Sequence, residues 1–159
     1  MPDSHDLALR RMQTGIILEL QRLRNATERR IAELLEQHEL APITPAQANA
    51  LMVLVNAREP LTSAELAREL GLSVVTVGRF VRALLEGDWV GRVQDPDDAR
   101  RFLLSPTPKT RRSLPRFVAV SNTMLDEVFG DLSAGEIEAL SVQMTALRGR
   151  LERGRDAAE

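Results

Sequence analysis

The sequence predicts a mainly α-helical fold with one small β-hairpin, and three observations carry that prediction. Hydroxyl residues that cap helix starts recur along the chain, at Thr44, Thr62, Thr107 and Ser133. Two short apolar stretches around Asp95-Pro96-Asp97-Asp98 interrupt the helical pattern once. Long amphipathic segments occupy both ends of the chain.

The first helix is expected over residues 7–37. Leu9, Met12, Ile16, Leu20, Leu23, Ile31 and Leu34 recur mostly at steps of three and four, and Pro42 and Pro45 close the segment. Thr44-Pro45-Ala46-Gln47 starts a second helix, 45–56, with Ala48, Leu51, Met52 and Val55 on its apolar face. Proline at the first helical position loses nothing, because its missing N–H would have no partner there. Thr62-Ser63-Ala64-Glu65 is a capping box for a third helix, 63–70, which Gly71 stops. A fourth helix covers 74–86. Strands follow at 89–93 and 101–104, joined by a loop longer than two residues. Thr107-Pro108 opens a fifth helix, 108–129, and Ser133-Ala134-Gly135-Glu136 a sixth, 134–153. Residues 154–159 are expected to fray. The expected segmentation is 1–40, an N-terminal helix; 44–105, a compact middle; and 107–159, C-terminal helices.

Composition narrows the function classes. Of 159 residues, 43% are hydrophobic and 28% charged, an ordinary globular balance. No apolar run is long enough for a membrane span, and the first residues lack a secretory signal, so a cytoplasmic protein with no membrane partner is expected. The chain has no cysteine, which excludes disulfides, thiolate zinc sites and cysteine redox sensing. His5 and His38 lie far apart, a poor basis for a metal site. There is no nucleophile–base pairing and no phosphate-binding glycine loop. The expectation is a protein without enzymatic activity, cofactor or metal.

The terminal helices point to self-association. Ile137, Leu140, Met144, Leu147 and Leu151 follow a 3,4,3,4 spacing, a narrow seam suited to a partner helix. Packing on the chain's own middle domain is the plainer reading. A second copy is favoured, because so small a middle cannot cover two long apolar stripes and closed two-fold dimers are the commonest way to bury them.

The segment 63–82 reads as a helix-turn-helix. Ala67 supplies the small residue where two helices touch, and Gly71 a turn residue tolerant of positive φ. Leu66, Leu70, Leu72, Val77 and Phe80 are the expected apolar anchors, and Ser73 caps the second helix. That second helix then presents Ser73, Val74, Val75, Thr76, Gly78, Arg79 and Arg82 away from the anchors. Such a face suits base edges and phosphates in a major groove. Gly78 inside it should cost about 1 kcal/mol of helix stability relative to Ala and lets a backbone come close to DNA.

A hairpin directly after a helix-turn-helix is a wing. Pro60-Leu61-Thr62, Glu65-Leu66-Ala67, Leu70-Gly71-Leu72-Ser73, Thr76-Val77, Arg79 and Asp95-Pro96-Asp97-Asp98-Ala99-Arg100 together resemble the MarR (multiple antibiotic resistance regulator) family, over roughly residues 44–110. The resemblance implies a winged helix-turn-helix with long dimerisation helices at both termini. It implies a homodimeric, sequence-specific transcriptional regulator, expected to be a repressor on a pseudo-palindromic operator in double-stranded DNA. The candidate DNA contacts are Ser63, Ser73, Val74, Val75, Thr76, Arg79, Arg82, Arg92, Asp98 and Arg100. The resemblance further implies that Arg100 enters the minor groove while Asp98 orients its guanidinium. A small aromatic or phenolic effector is implied too, for which Leu35, His38, Met52, Arg112 and Phe117 are candidates, with Arg112 facing a carboxylate. For each of these, a core or solvated role is the stronger competitor, and Trp89 reads as core. Asp88 stands where the family has glycine, with Gly87 one place earlier; Asp tolerates the left-handed turn. Pro106 and Thr110 replace the usual leucine and glycine.

Charge sits awkwardly with this reading. The net charge is −2. Residues 58–101 hold seven arginines against eight carboxylates (Glu59, Glu65, Glu69, Glu86, Asp88, Asp95, Asp97 and Asp98). DNA affinity, which is largely electrostatic, must then come from placing arginines on one face. A winged-helix protein-interaction module with weak or no DNA binding is the competing expectation.

Overall fold

A computed structural model describes residues 4–156. Six helices and one hairpin follow in the order α1 (Ser4–Gln37), α2 (Pro45–Asn56), α3 (Ser63–Leu70), α4 (Val74–Glu86), β1 (Val90–Gln94), β2 (Phe102–Pro106), α5 (Pro108–Phe129) and α6 (Ala134–Asp156). The chain divides into two compact units, residues 1–121 and 122–159.

The expected helix starts are the observed ones, and the capping chemistry explains why. Thr44 Oγ1 accepts the Gln47 N–H at 3.3 Å while Gln47 returns a bond to the Thr44 N–H at 2.9 Å. Thr62 and Glu65 repeat the pattern at 3.2 and 2.8 Å, and Ser133 with Glu136 at 3.4 and 2.9 Å. Each box satisfies helix donors that would otherwise lack partners. Thr107 Oγ1 accepts the Thr110 N–H at 3.3 Å at the start of α5. The bonds from Thr62 hold the Glu65 carboxyl below its ordinary pKa, and those from Ser133 do the same for Glu136.

Thr62→Ala is therefore expected to lower stability by about 1 kcal/mol, the usual worth of an N-cap hydroxyl. A carboxyl with a depressed folded pKa stabilises above its unfolded pKa and loses that contribution as pH falls through the folded value. The gap between wild type and Thr62→Ala in urea melts should accordingly narrow under acid conditions. A gap that widened there would contradict the role given to Glu65.

The strands are displaced from their expected positions. Trp89 lies outside the ladder because its N–H closes the end of α4 on the Leu84 carbonyl at 2.8 Å. Arg101 is outside because its N–H bonds the Asp98 carbonyl at 2.9 Å within the loop. The ladder begins beyond each, antiparallel, pairing Val90 with Pro106, Arg92 with Leu104 and Gln94 with Phe102. Leu61 adds an isolated antiparallel bridge on the far side of β2, exchanging backbone bonds with Leu104 at 3.2 and 2.7 Å. α6 also runs past residue 153, to Asp156.

The core of the first unit gathers Leu34 and Leu35 of α1, Leu51 of α2, Leu66 of α3, Val77 and Leu84 of α4, and Leu104 of β2. On α2 the buried residues are Ala48, Ala50, Leu51 and Leu54, whereas Met52 and Val55 are only half-buried, so the expected face is turned toward 50 and 54. Of the expected α1 stripe, only Leu34 is buried. Leu9, Met12, Ile16 and Leu23 are exposed. In the second unit, Ile137, Leu140, Met144, Leu147 and Leu151 of α6 are all exposed. Among the described residues no helix is long and apolar enough to cross a membrane.

Candidate nucleic-acid interface

The helix-turn-helix is built from α3 and α4. Leu66 and Ala67 are buried, and Gly71 ends α3 in the left-handed region at φ 64°. The Leu72 N–H folds back onto the Ala67 carbonyl at 2.9 Å, closing the turn. Val77, Val81 and Leu84 form the buried face of α4. Leu72 is a correction to the expected anchors. It is 43% exposed, because the turn uses its backbone and leaves its side chain outside. Leu70 and Phe80 are half-buried.

The outward face of α4 is as expected: Ser73, Val74, Val75, Gly78, Arg79 and Arg82 are exposed and Thr76 is half-buried. Ser73 caps the helix, accepting the Thr76 N–H at 3.2 Å, and the two hydroxyl oxygens lie 2.9 Å apart. Ser63 is half-buried at the first position of α3.

The acidic wing loop is held by its own carboxylates. Asp95 Oδ1 accepts the Asp97 N–H at 3.0 Å, and Asp98 Oδ1 accepts the Arg100 N–H at 2.9 Å. These are local side-chain-to-backbone turns. Gln94 Nε2 donates to the Ala99 carbonyl at 2.7 Å. In the free chain Asp98 fixes the Arg100 backbone, whereas the role expected of it toward the Arg100 guanidinium belongs to the DNA-bound state. Among the described residues no carboxylate pairs with the Arg100 side chain, which is exposed. Arg101 is the wing arginine that is tied down, 3.7 Å from Asp95 and 3.8 Å from Glu65. The Arg92 guanidinium lies 4.9 Å over the Phe102 ring, a cation–π contact along the hairpin. Three of the eight carboxylates that weighed against DNA binding, Glu65, Asp95 and Asp98, are engaged in shaping the fold, while Arg79, Arg82, Arg92 and Arg100 stay on the surface.

Behind the wing stands Trp89, buried as its position suggested. Its ring meets Phe117 edge-on, centroids 5.9 Å apart, and Lys109 Nζ sits 4.2 Å over its face while donating to the Gly87 carbonyl at 2.6 Å. Asp88 takes the left-handed conformation at φ 56°, as expected, and Gly87 has a separate duty. A Cβ on Gly87 would fall 2.7 Å from Trp89 Cδ1. Thr110, where the family pattern has glycine, is fully buried, and its hydroxyl donates to the Trp89 carbonyl. Lys109 escaped the sequence reading. Its signal was a lysine in the first turn of a helix, where the dipole disfavours a cation.

The effector candidates do not converge. Leu35 and Phe117 are core residues, His38 is half-buried and Arg112 is exposed. Met52 lines an open groove of about 880 Å³ with Asn49, Val53, Asn56, Arg58 and Leu61, and none of the other candidates lines it. Among the described residues no group of three or more histidines and carboxylates is placed to hold a metal ion.

The MarR family model matches residues 41–101, the segment that holds α2, the helix-turn-helix, β1 and the wing loop. Over this segment, the chain is similar to the MarR family. Solved structures extend the likeness in fold to most of the chain. MepR of S. aureus, solved as a DNA complex, superposes with a TM-score of 0.77 at 22% identity, covering 84% of this chain and 96% of its own. A probable transcriptional regulator from Pseudomonas aeruginosa is 27% identical, with a TM-score of 0.64 over 79% and 93% of the two chains. CouR of Rhodococcus jostii RHA1, bound to p-coumaroyl-CoA, gives 0.72 at 18% identity over 83% and 90%. No curated protein matches the sequence.

Proposed function

We propose that the chain is a sequence-specific, double-stranded-DNA-binding transcriptional regulator of the cytoplasm that works as a homodimer, represses by occupying a pseudo-palindromic operator, and has no catalytic activity. The carrying observation is the exposed surface of α4 and the wing, with Arg79, Arg82, Arg92 and Arg100 outward and the carboxylates of Asp95 and Asp98 engaged in the loop. The MepR–DNA complex supports the reading by its shared fold. Two recognition helices on a two-fold axis place half-site centres about 10 base pairs apart. The terminal segments 1–40 and 107–159 serve as dimerisation helices, and 44–105 as the DNA-binding lobe.

Release by a small aromatic or phenolic effector is part of the proposal. It is supported by the ligand-bound CouR neighbour and by the groove beside Met52, where Arg58 and the amides of Asn49 and Asn56 offer partners to an acid or phenol.

Arg100 is the residue that tests the DNA reading. Arg100→Ala should leave the thermal midpoint unchanged, because the side chain is exposed and unpaired. In an anisotropy titration it should weaken DNA binding by about 1–3 kcal/mol and reduce the salt slope by about one phosphate equivalent. Asp98→Ala should weaken binding less, by loosening the Arg100 backbone. Asp98→Asn, which keeps the acceptor and removes the charge, should bind at least as tightly as wild type. Wild-type affinity in Arg100→Ala at equal salt would remove the wing from the interface and favour a protein-interaction module.

A further inference from the structure

The outward face of α4 gives up helix stability where nothing inside the chain asks for it. Val74 and Val75 are 54% and 70% exposed in its first turn. Gly78 follows one turn later, with no atom within 4 Å of where a Cβ would stand. β-branched residues and glycine are poor helix formers, glycine costing about 1 kcal/mol against alanine. The buried face, Val77, Val81 and Leu84, is complete without them. The polar groups of the same turn are occupied, since the Ser73 and Thr76 hydroxyls lie 2.9 Å apart and Ser73 also holds the Thr76 N–H. What the turn offers outward is therefore apolar, with the exposed guanidinium groups of Arg79 and Arg82 beside it on the same helix.

A surface of two branched apolar side chains next to two cations fits the floor and wall of a major groove. The arginines complement the phosphates. On the base edges the one apolar group is the C5-methyl of thymine. We infer that Val74 and Val75 read thymine methyl groups, and that Gly78 gives the clearance that brings the α4 backbone close enough for them to do so. This rests on the DNA-binding reading and deepens it, by naming the base chemistry that sets specificity.

The test uses duplexes enriched from a random-sequence pool on the full-length wild-type protein. The enriched duplex is resynthesised with deoxyuridine in place of thymidine inside the half-sites, which removes only the methyl groups. Each lost contact should weaken wild-type binding about fourfold, the worth of one buried methyl; one such contact in each half-site gives about fifteenfold. The double variant Val74→Ala/Val75→Ala should fold normally, bind the thymidine duplex more weakly and respond little to deoxyuridine. Gly78→Ala should melt higher than wild type and yet bind several-fold more weakly. If no duplex is enriched, the DNA-binding reading fails and takes this inference with it. If a duplex is enriched but thymidine and deoxyuridine forms bind alike, or if the double variant keeps the full deoxyuridine penalty, the methyl-reading inference falls while DNA binding stands. The valines would then face a protein partner or solvent.

Discussion

Replacing Leu140 and Leu147 together with glutamate is expected to leave a monomer or an unfolded chain. Both lie on the seam of α6 that also holds Ile137, Met144 and Leu151, and every one of these side chains is exposed in the single chain. α1 presents Leu9, Met12, Ile16 and Leu23 in the same state. Isolated exposed leucines need no explanation, but a contiguous apolar stripe along a long helix is the kind of surface that a partner covers. The 3,4,3,4 spacing suits a helix partner, and a second copy supplies an identical seam. Placing four carboxylates in that dimer seam would bury unpaired charge, which folding does not tolerate. Val142 is also exposed on α6 but off the seam, so Val142→Glu should leave the oligomeric state of the wild type unchanged. Sedimentation equilibrium at micromolar concentration separates the outcomes. Loss of the dimer should also cost DNA affinity about 10²–10⁴-fold, because two tethered half-site contacts become one. A wild-type chain that sediments as a folded monomer would end the dimer reading.

The same helices show what a sequence reveals and what it withholds. Helix starts were legible because a cap is a local event: Thr44, Thr62, Thr107 and Ser133 each bond an N–H three residues ahead. The α4 faces were legible because a 3.6-residue period divides Val77, Val81 and Leu84 from Val74, Val75, Arg79 and Arg82. What escaped depends on residues far apart in sequence. The Leu61–Leu104 bridge crosses two helices and a strand. The Lys109–Trp89 contact spans a hairpin. The hydrogen bond that Asp98 makes in the free chain was not legible, for a different, short-range reason. A carboxylate two residues before an arginine can bond its side chain or its backbone, and only geometry decides; here it is the backbone, at 2.9 Å. The effector candidates were drawn from three helices and the turn after α1 by resemblance, and that only Met52 among them lines the open groove is tertiary information that no periodicity carries.

Trp89→Ala is expected to be the most destabilising single change in the DNA-binding lobe, at about 3–5 kcal/mol, the range for removing a large buried aromatic. The ring is enclosed on several sides. Phe117 meets it edge-on at 5.9 Å, Lys109 covers its face at 4.2 Å, and Gly87 lies so close that a methyl there would stand 2.7 Å from it. Its backbone works as hard. The N–H closes α4 on Leu84, and the carbonyl accepts the Thr107 N–H at 3.2 Å and the Thr110 hydroxyl. Trp89 therefore joins the end of the recognition helix, the start of the wing and the first turn of α5. Truncation leaves a cavity among groups fixed by other bonds, and such sites collapse poorly. The thermal midpoint should fall by about 10 °C for a chain of this size. DNA affinity should fall as well, since helix and wing lose their common support. Trp89→Phe should lose less, keeping an aromatic face for Lys109. Gly87→Ala tests the same joint from the other side; it should cost about 1–3 kcal/mol by overpacking against the ring. Because Trp89 is the only tryptophan, circular dichroism at 222 nm must follow the melts of the Trp89 variants. A Trp89→Ala protein within 1 kcal/mol of wild type would show that the joint is carried by the backbone bonds alone.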